Sequence, residues 1–353
     1  MSTIEPLEDL GGPAQPLLAV KSLTKHFPIG GGLFAEKKTV RAVDDVSFAV
    51  AKGETLGIVG ESGCGKSTTA RLLMHLMPRT SGEILFDGQV VGYSLSMREF
   101  RRGMQMVFQD SYASLNPRLT IEESIAFGPK VHGVADKEAR ALARELMGKV
   151  GLRPEVFANR YPHEVSGGQR QRVNIARALA LNPRLVILDE AVSALDKSVE
   201  AQVLNLLTDL KREFGLTYVF ISHDLNVVRY ISDRVLVMYL GQVVEVGPVD
   251  QVWEAPAHPY TRALLAAMPA LDPDKRTETP PLSGDPPNPI DPPAGCRFHT
   301  RCSFAEEVCG RIGPALSPAT PGDPAPDAHL AACHMVIPGS GHSRAPAATE
   351  VAA

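Results

Sequence analysis

The fold is decided by one stretch, Gly60-Glu61-Ser62-Gly63-Cys64-Gly65-Lys66-Ser67, which fits the pattern G-x-x-x-x-G-K-[ST]. It follows an apolar, strand-like run at residues 55–59 and precedes a helix-like run at residues 69–77. In that setting, backbone N–H groups and the helix N-terminus bind phosphate, Lys66 reaches the outer phosphates and Ser67 binds Mg²⁺. A glycine-rich turn without a ligand is the alternative, but it does not account for the strand and helix in order. We therefore predict that residues 60–68, including Thr68, form a nucleotide phosphate loop.

A second apolar run, residues 185–188, ends in two acids, Asp189 and Glu190. A buried parallel strand delivers such carboxylates to the phosphate edge of its sheet. We expect Asp189 to hold the Mg²⁺ shell and Glu190 to polarise the water that attacks the γ-phosphate. An acidic turn after a core strand is the alternative, and the phosphate loop makes it the weaker one.

Composition excludes several classes of protein. The 353 residues carry 36 Lys and Arg against 40 Asp and Glu, so no basic excess is present to bind nucleic acid or anionic lipid. No run approaches the roughly 18 apolar residues of a membrane-spanning helix. The first twenty residues contain acids but no Lys or Arg, unlike a secretory signal or transit peptide, so we expect a cytoplasmic location.

The chain divides into four parts by composition. We predict a disordered leader at residues 1–16 and an α/β domain at 17–271, in which strand-like and amphipathic runs alternate. A hairpin is expected at residues 235–239 and 243–246. Fifteen of the 29 prolines follow residue 271, so we expect a small cysteine-containing extension at 272–337 and a disordered tail at 338–353.

Six ordered motifs resemble those of ABC transporter ATP-binding subunits. Besides the phosphate loop and the Asp189-Glu190 pair, they comprise Gln109 after a strand-like run, the signature Val165-Ser166-Gly167-Gly168-Gln169, the loop Ser193-Ala194-Leu195-Asp196, and His223. The resemblance implies a P-loop NTPase fold with a RecA-like core sheet, an antiparallel β subdomain and a helical subdomain at about residues 110–182. Val165 and Ala191 depart from the usual residues of the family, but neither change removes a group that touches phosphate.

The same resemblance implies an ATP hydrolase that works as a head-to-tail dimer. By this resemblance, ATP is expected between the phosphate loop of one subunit and the signature of the other. An exposed helix start with free N–H groups attracts anions, which supports that expectation. By resemblance, His223 contacts the γ-phosphate and positions Glu190 and water, and Gln109 joins Mg²⁺ and water to the membrane-facing region. The remaining nucleotide contacts are assigned to Ser166, Gly167, Gly168, Gln169 and Asp196. Phe27 is the candidate for the adenine ring, with Phe34 as its rival and core packing as the alternative.

Three local sequences resemble the oligopeptide/dipeptide importer subfamily. They lie at residues 107–118, 161–164 and 258–264, and the likeness extends to the C-terminal extension. The resemblance implies peptide import powered by ATP and Mg²⁺, at the cytoplasmic face of the membrane, with a second ATP-binding subunit, two permease subunits and an extracytoplasmic binding protein. Import of nickel or another small solute is the near alternative. A soluble ABC ATPase acting on DNA or ribosomes is the distant one, since this chain has neither two cassettes nor a coiled-coil insertion.

Four of the five cysteines lie in the extension, at Cys296, Cys302, Cys309 and Cys333. Four thiolates suffice for tetrahedral Zn²⁺ or an iron–sulfur cluster, and free thiols are the alternative. Related subunits have a similar cysteine pattern, and some carry a [4Fe–4S] cluster there, so the resemblance favours iron–sulfur over zinc. Cys64 lies in the phosphate loop, where a helix N-terminus is expected to lower its pKa.

Overall fold

The computed structural model describes residues 7, 9–12, 14–30, 38–268, 287–320 and 328–347. Phe34, the predicted boundary at residue 271 and the last six residues lie outside these ranges. The strands are β1 (Leu18–Ile29), β2 (Lys38–Val50), β3 (Thr55–Val59), β4 (Ser81–Phe86), β5 (Gln89–Val90), β6 (Met104–Val107), β7 (Leu185–Asp189), β8 (Thr217–Ile221), β9 (Arg234–Tyr239), β10 (Gln242–Pro248), β11 (Ser317–Pro318) and β12 (Leu330–Ala331).

The helices surround and connect these strands. They are α1 (Lys66–Leu73), α2 (Met97–Gly103), α3 (Ile121–Val131), α4 (Asp136–Lys149), α5 (Pro154–Phe157), α6 (Gly167–Leu179), α7 (Lys197–Phe214), α8 (Leu225–Ile231), α9 (Val249–Glu254), α10 (Pro259–Ala266) and α11 (Glu307–Arg311). Short 3₁₀ turns lie at Pro162–Glu164 and His299–Arg301.

The central sheet of the described chain has the strand order β11-β12-β10-β9-β3-β8-β7-β6. Strands β9, β3, β8, β7 and β6 pair in parallel, and every residue of β3, β7 and β8 is buried. These strands are apolar runs because helices cover both of their faces. Along β7, Val186 and Leu188 face one hydrophobic cluster while Leu185 and Ile187 face the other, as the two-residue strand period requires.

The predicted hairpin is present as β9 and β10, which pair antiparallel. Its two-residue turn consists of Leu240 and Gly241, with φ values of 44° and 81°. Positive φ at both positions is the backbone of a type I′ turn, which matches the right-handed twist of the flanking strands.

A second sheet, with the order β2-β1-β4-β5, packs beside the central one. Its strands pair antiparallel, and side chains from β1 and β4 share a hydrophobic cluster with α1 and one face of the central sheet. The sheet brings Ala42 of β2 to the phosphate loop, where the carbonyl oxygen of Ala42 lies 2.4 Å from where a Cβ on Gly65 would be.

Helices α3, α4 and α6 pack together within the predicted helical subdomain. Glu122 of α3 is buried and bridges to α4, because its carboxylate accepts hydrogen bonds from Arg140 at 2.9 Å and Arg144 at 2.5 Å. The bounds of this subdomain stay a prediction.

The C-terminal extension is part of the central sheet. Strand β12 pairs with β10, and β11 pairs with β12, so the extension adds two short strands beyond β10 in the described residues. Arg297 of the extension also donates to the Leu240 carbonyl and to Asp44 of β2. The predicted domain bounds stay predictions. Within the predicted leader, Leu10 donates its N–H to Asp87, and within the predicted tail, His342 is buried.

Candidate active site

Two glycines give the phosphate loop its shape, and any residue with a Cβ at either position would strain the backbone or clash with a neighbour. Gly60 has φ 148° and Gly65 has φ 111°, values that residues with a Cβ rarely adopt. A Cβ on Gly60 would lie 2.3 Å from the Met238 carbonyl oxygen. The loop therefore joins the buried end of β3 to α1 through backbone that is pressed against β2 and β9.

Lys66, the first residue of α1, is buried and points back along the loop. Its Nζ donates to the carbonyl oxygens of Gly60 at 2.7 Å and Glu61 at 3.0 Å. The ammonium therefore lies over the loop, where its positive charge can meet phosphate oxygens.

Ser67 and Asp189 converge as predicted for a magnesium site. The Ser67 hydroxyl donates to Asp189 Oδ1 at 3.2 Å, and the carboxylate stands at the end of β7. Burial raises the pKa of Asp189 above its ordinary value, with the neighbouring Glu190 charge adding to the effect and the Ser67 hydroxyl opposing it. An alcohol oxygen beside a carboxylate suits a hard cation such as Mg²⁺, which would compensate the buried charge.

Glu190 stands at the end of the same strand in a rarely occupied backbone conformation, with φ 49°. Its N–H donates to the Ile221 carbonyl at 2.9 Å, and Ser193 donates to its carbonyl through both N–H and Oγ. These bonds hold the strained residue, as is common at functional sites. The carboxylate Oε2 accepts a hydrogen bond from Gln109 at 2.7 Å and lies 3.5 Å from His223 Nδ1.

These groups surround one open cavity of about 400 Å³. The residues that line it are Ala42, Ser62, Gly63, Gly65, Lys66, Ser67, Thr68, Gln109, Glu190 and His223. The structure thus brings Gln109, Glu190 and His223 together with residues 62, 63 and 65–68 of the phosphate loop, and Asp189 is reached through Ser67. Residues 60, 61 and 64 of the loop do not line the cavity. Ala42 was missed by the sequence analysis, since an alanine in a strand carries no signal of its own.

Other predicted nucleotide contacts do not line this cavity in the part of the chain that the structure describes. Ser166 is the N-cap of α6, where its Oγ accepts from the N–H of Gln169 and Gln169 Oε1 accepts from the N–H of Ser166. Gly167 and Gly168 begin that helix, and Asp196 is the N-cap of α7. Their nucleotide roles stay predictions.

Phe27, the candidate for the adenine ring, lies on β1 opposite Val40. Its ring is partly exposed, and Lys25 Nζ lies 4.9 Å from the ring centroid. The side chain is therefore accessible, but it does not line the described cavity, and its role stays a prediction.

Cys64 is 3% exposed and behaves differently from the expectation for a helix N-terminus. Burial raises the pKa of its thiol, although the nearby Lys66 charge acts in the opposite direction. The expected lowering of the pKa is wrong because the cost of desolvating the thiolate outweighs the local positive field.

The four cysteines of the extension line one small cavity of about 20 Å³, together with Phe298 and Phe304. Burial raises the pKa of Cys296 to about 12 and that of Cys333 to about 11, and each is raised further by the neighbouring thiolates. Across the described ranges, no group of three or more His, Cys, Asp or Glu side chains has an arrangement that could hold a metal ion. This arrangement therefore supports neither the predicted iron–sulfur cluster nor the alternative zinc ion, and both rest on the chemistry of the four thiols alone.

Two residues outside the predicted site bind the phosphate loop from the C-terminal side. The N–H of Glu61 donates to Tyr260 Oη at 2.8 Å, and the Glu61 carboxylate accepts two hydrogen bonds from Arg301. Both residues lie in stretches that the sequence analysis used only to assign a subfamily. Neither stretch signals a contact with a loop some 200 residues earlier.

Two family models match the chain. The ABC transporter model matches residues 43–193, and the model described as "Oligopeptide/dipeptide transporter, C-terminal region" matches residues 244–309. The first covers the phosphate loop, Gln109, the signature and Glu190, and the second covers Tyr260 and Arg301.

Curated relatives match nearly the whole chain. The probable peptide ABC transporter ATP-binding protein y4tS of Sinorhizobium fredii is 52% identical over 94% of this chain and 93% of its own length. The oligopeptide transport ATP-binding protein AppF of Bacillus subtilis is 49% identical over 91% of this chain and 98% of its own length.

Solved structures agree with this assignment. The cbiO1 protein of Clostridium perfringens, part of the ABC transporter complex cbiONQ, is similar with a TM-score of 0.58 and 27% identity, over 68% of this chain and 91% of its own. The ATP-binding cassette MJ0796, a dimer bound to ADP and Pi, is similar with a TM-score of 0.57 and 30% identity, over 66% of this chain and 98% of its own. The chain therefore belongs to the ATP-hydrolysing, ATP-binding subunits of ABC transporters of the oligopeptide/dipeptide type.

Proposed function

We propose that this chain binds and hydrolyses ATP to power the import of di- and oligopeptides across the cytoplasmic membrane. The observation that carries the peptide assignment is the C-terminal region of oligopeptide/dipeptide transporter type at residues 244–309. The relatives named above, which are described as peptide or oligopeptide transport proteins, support it. No specific observation favours nickel, another solute, DNA or ribosomes.

Hydrolysis follows from the groups around the phosphate cavity. Lys66 and the loop N–H groups bind the phosphates, which places the γ-phosphate towards Glu190. The Glu190 carboxylate then accepts a proton from the attacking water, while Gln109 and His223 hold that carboxylate in position. Glu190 has a fixed orientation because hydrogen bonds restrain both its backbone and its Oε2.

Ser67, Asp189 and Gln109 are the residues proposed to hold Mg²⁺. When bound, Mg²⁺ would neutralise negative charge on the phosphates. The contact of 3.2 Å between the Ser67 and Asp189 oxygens supports this assignment, because both oxygens then face one position.

We assign the signature to the nucleotide of a second subunit. Ser166 and Gln169 satisfy each other as a capping box, and the first turn of α6 leaves the N–H groups of Gly167 and Gly168 available to an anion. Since these residues do not line the described cavity, a head-to-tail dimer supplies them from the partner. The partner is an identical or homologous ATP-binding subunit.

The remaining partners follow from the importer assignment. Two transmembrane permease subunits and an extracytoplasmic substrate-binding protein complete the complex, and this chain lies peripherally on the cytoplasmic face. Within the described ranges, no helix has both the length and the apolar character to cross a bilayer.

For the extension we propose a [4Fe–4S] cluster on Cys296, Cys302, Cys309 and Cys333. All four thiols line the same cavity, which supports the proposal. Each cysteine of such a cluster binds a separate iron, so the thiols need not converge on one point as they do around zinc. Anaerobic purification followed by iron, acid-labile sulfide and zinc analysis tests this; about four irons and four sulfides per chain are expected, and a chain without both overturns it.

The test of the transport function is purification of the membrane complex through a tag on this chain. We expect two permease subunits and a second ATPase subunit to co-purify, and peptides to stimulate ATP hydrolysis when the binding protein is present. Stimulation by nickel or a sugar alone would contradict the peptide assignment and leave the ABC mechanism intact. Recovery with ribosomes or DNA and without permeases would contradict the transport function.

A further inference from the structure

Glu61 places a negative charge in a loop that must bind a polyanion. Its backbone N–H and C=O are both engaged, by Tyr260 Oη and Lys66 Nζ respectively. Glu61 is not among the residues that line the phosphate cavity, and its carboxylate pairs with Arg301 of the C-terminal extension. Every polar group of Glu61 is therefore held, and two of the holding side chains come from outside the nucleotide motifs.

The pair between Glu61 and Arg301 is bidentate and shielded from water. Arg301 Nη1 donates to Glu61 Oε2 at 2.8 Å, and Nη2 donates to Oε1 at 3.2 Å. The side chains of Arg301 and Glu61 are 5% and 23% exposed. A planar guanidinium that uses two parallel hydrogen bonds fixes the direction of the carboxylate as well as cancelling its charge.

An aromatic cluster of Tyr239, Tyr260 and Phe298 supports this pair. The three rings are almost fully buried, with centroid separations of 4.6 to 5.4 Å. Arg301 Nη1 lies 3.4 Å from Tyr239 Oη, and the Arg301 N–H donates to the Phe298 carbonyl at 3.0 Å. The cluster thus joins β9, α10 and the extension directly beneath the phosphate loop.

We propose that Arg301 is a positioning residue for nucleotide binding, through which the C-terminal extension holds the Glu61 carboxylate away from the phosphates and neutralises its charge. Without Arg301, the Glu61 carboxylate is free to turn towards the phosphates and repel them. Restraint on the Gly60–Glu61 backbone remains, because Tyr260 still accepts the Glu61 N–H and Lys66 still donates to both carbonyl oxygens. This role concerns ATP binding and is independent of which solute the transporter carries.

The test compares four variants of the full-length chain: R301A, R301K, the double variant R301A/E61Q and the control R311A. Arg311 pairs with Glu307 in the same extension, but its side chain is 73% exposed. The readouts are the Kd for MgATP, the KM and kcat of ATP hydrolysis, and the thermal midpoint without nucleotide. The thermal midpoint reports damage to the fold separately from damage to the site.

We expect R301A to weaken MgATP binding about tenfold, as for loss of a charged hydrogen-bond partner, with KM rising more than kcat falls. R301A/E61Q should bind within about threefold of the parent, because the unpaired charge is gone. R301K should be intermediate, since Lys keeps the charge but loses the two-bond geometry. R311A should bind as the parent does.

An unchanged Kd in R301A overturns the proposal, as does a weakened Kd that E61Q fails to restore. If R301A does not fold, R301K decides: a Kd and KM equal to those of the parent overturn the proposal. A lower thermal midpoint with parental nucleotide affinity assigns Arg301 a purely structural role and likewise overturns it.

Discussion

His223 Nδ1 lies 3.5 Å from the Oε2 atom of Glu190, the same oxygen that accepts the hydrogen bond from Gln109. The His223 side chain is 60% exposed, whereas that of Glu190 is 16% exposed. The Glu190 carboxylate is therefore the more deeply buried of the two groups, and His223 is the more exposed one at the cavity. This arrangement supports the proposed roles, in which Glu190 accepts the proton and His223 contacts the nucleotide.

Replacing Glu190 by Gln should lower kcat by roughly 10²- to 10⁴-fold while leaving MgATP binding intact, because the amide keeps the shape but cannot accept the proton. ATP turnover by the assembled complex and nucleotide titration measure the two effects. The control is Glu213→Gln, since Glu213 forms an exposed pair with Lys149. Parental turnover in Glu190→Gln would assign the base elsewhere.

Cys64 should react slowly with iodoacetamide in the folded chain at neutral pH. The thiol is buried and its pKa is raised, so little thiolate is present and little of it is accessible. Mass spectrometry of the loop peptide, before and after unfolding, measures the modification. Equal labelling in both states would contradict the burial described for this residue.

Glu245 and His329 form the buried link between β10 and the extension. Glu245 Oε1 lies 2.6 Å from His329 Nε2, and the carboxylate also accepts the N–H groups of Ala257 and His258. Glu245→Ala should lower the free energy of unfolding by about 3 to 5 kcal/mol, because it leaves buried groups without partners. Urea unfolding measures this, with the exposed Glu307→Ala as a control expected within about 0.5 kcal/mol of the parent. If Glu245→Ala lowered the free energy of unfolding no more than the control does, the stabilising role of this contact would be contradicted.

His258 should make the fold less stable in acid. Burial lowers the pKa of His258 from 6.5 to about 4, and the nearby Glu245 charge only partly opposes this. Between those values the unfolded chain takes up a proton that the folded chain does not, so the free energy of unfolding falls as the pH falls. From pH 7 to pH 5 the expected loss from this group is about 2 kcal/mol.

The variant for this measurement is His258→Asn, because the His258 ring Nδ1 accepts the N–H of Tyr260 and asparagine offers an oxygen in the same role. Urea unfolding at pH 7 and pH 5 should show a loss smaller by about 2 kcal/mol in the variant than in the parent. An identical pH dependence in both would contradict the lowered pKa.

Much of the site could be predicted from the sequence, because it depends on local patterns. The apolar run at residues 55–59 is β3 with the predicted bounds, and the run at 185–188 is β7, extended by Asp189. Parallel pairing of β3, β8 and β7 then brings their carboxyl ends together, so Lys66, Glu190 and His223 meet at one edge.

The features of the site that could not be predicted depend on contacts between distant segments of the chain, or on opposing effects such as burial and local charge. The pairing of Arg301 with Glu61 joins residues 240 positions apart, and a charged residue carries no signal of its partner. Sequence motifs also could not reveal that Glu190 adopts a positive φ, which is held by its N–H bond to the Ile221 carbonyl and by the bonds that Ser193 donates to it. For Cys64, the helix N-terminus was visible in the sequence, but the burial that outweighs it was not.

The addition of β12 to the edge of β10 has a consequence for the order of folding. The ribosome delivers β10 at residues 242–248, but its partner strand follows only at residues 330–331. The nascent chain therefore carries an open strand edge until the extension has emerged, and such an edge is a template for pairing with other chains. Synthesis that stops within the intervening segment yields a nearly complete ATPase whose β10 edge stays open, and such a chain is prone to aggregate. The last part of the chain therefore protects the protein from pairing with other copies of itself.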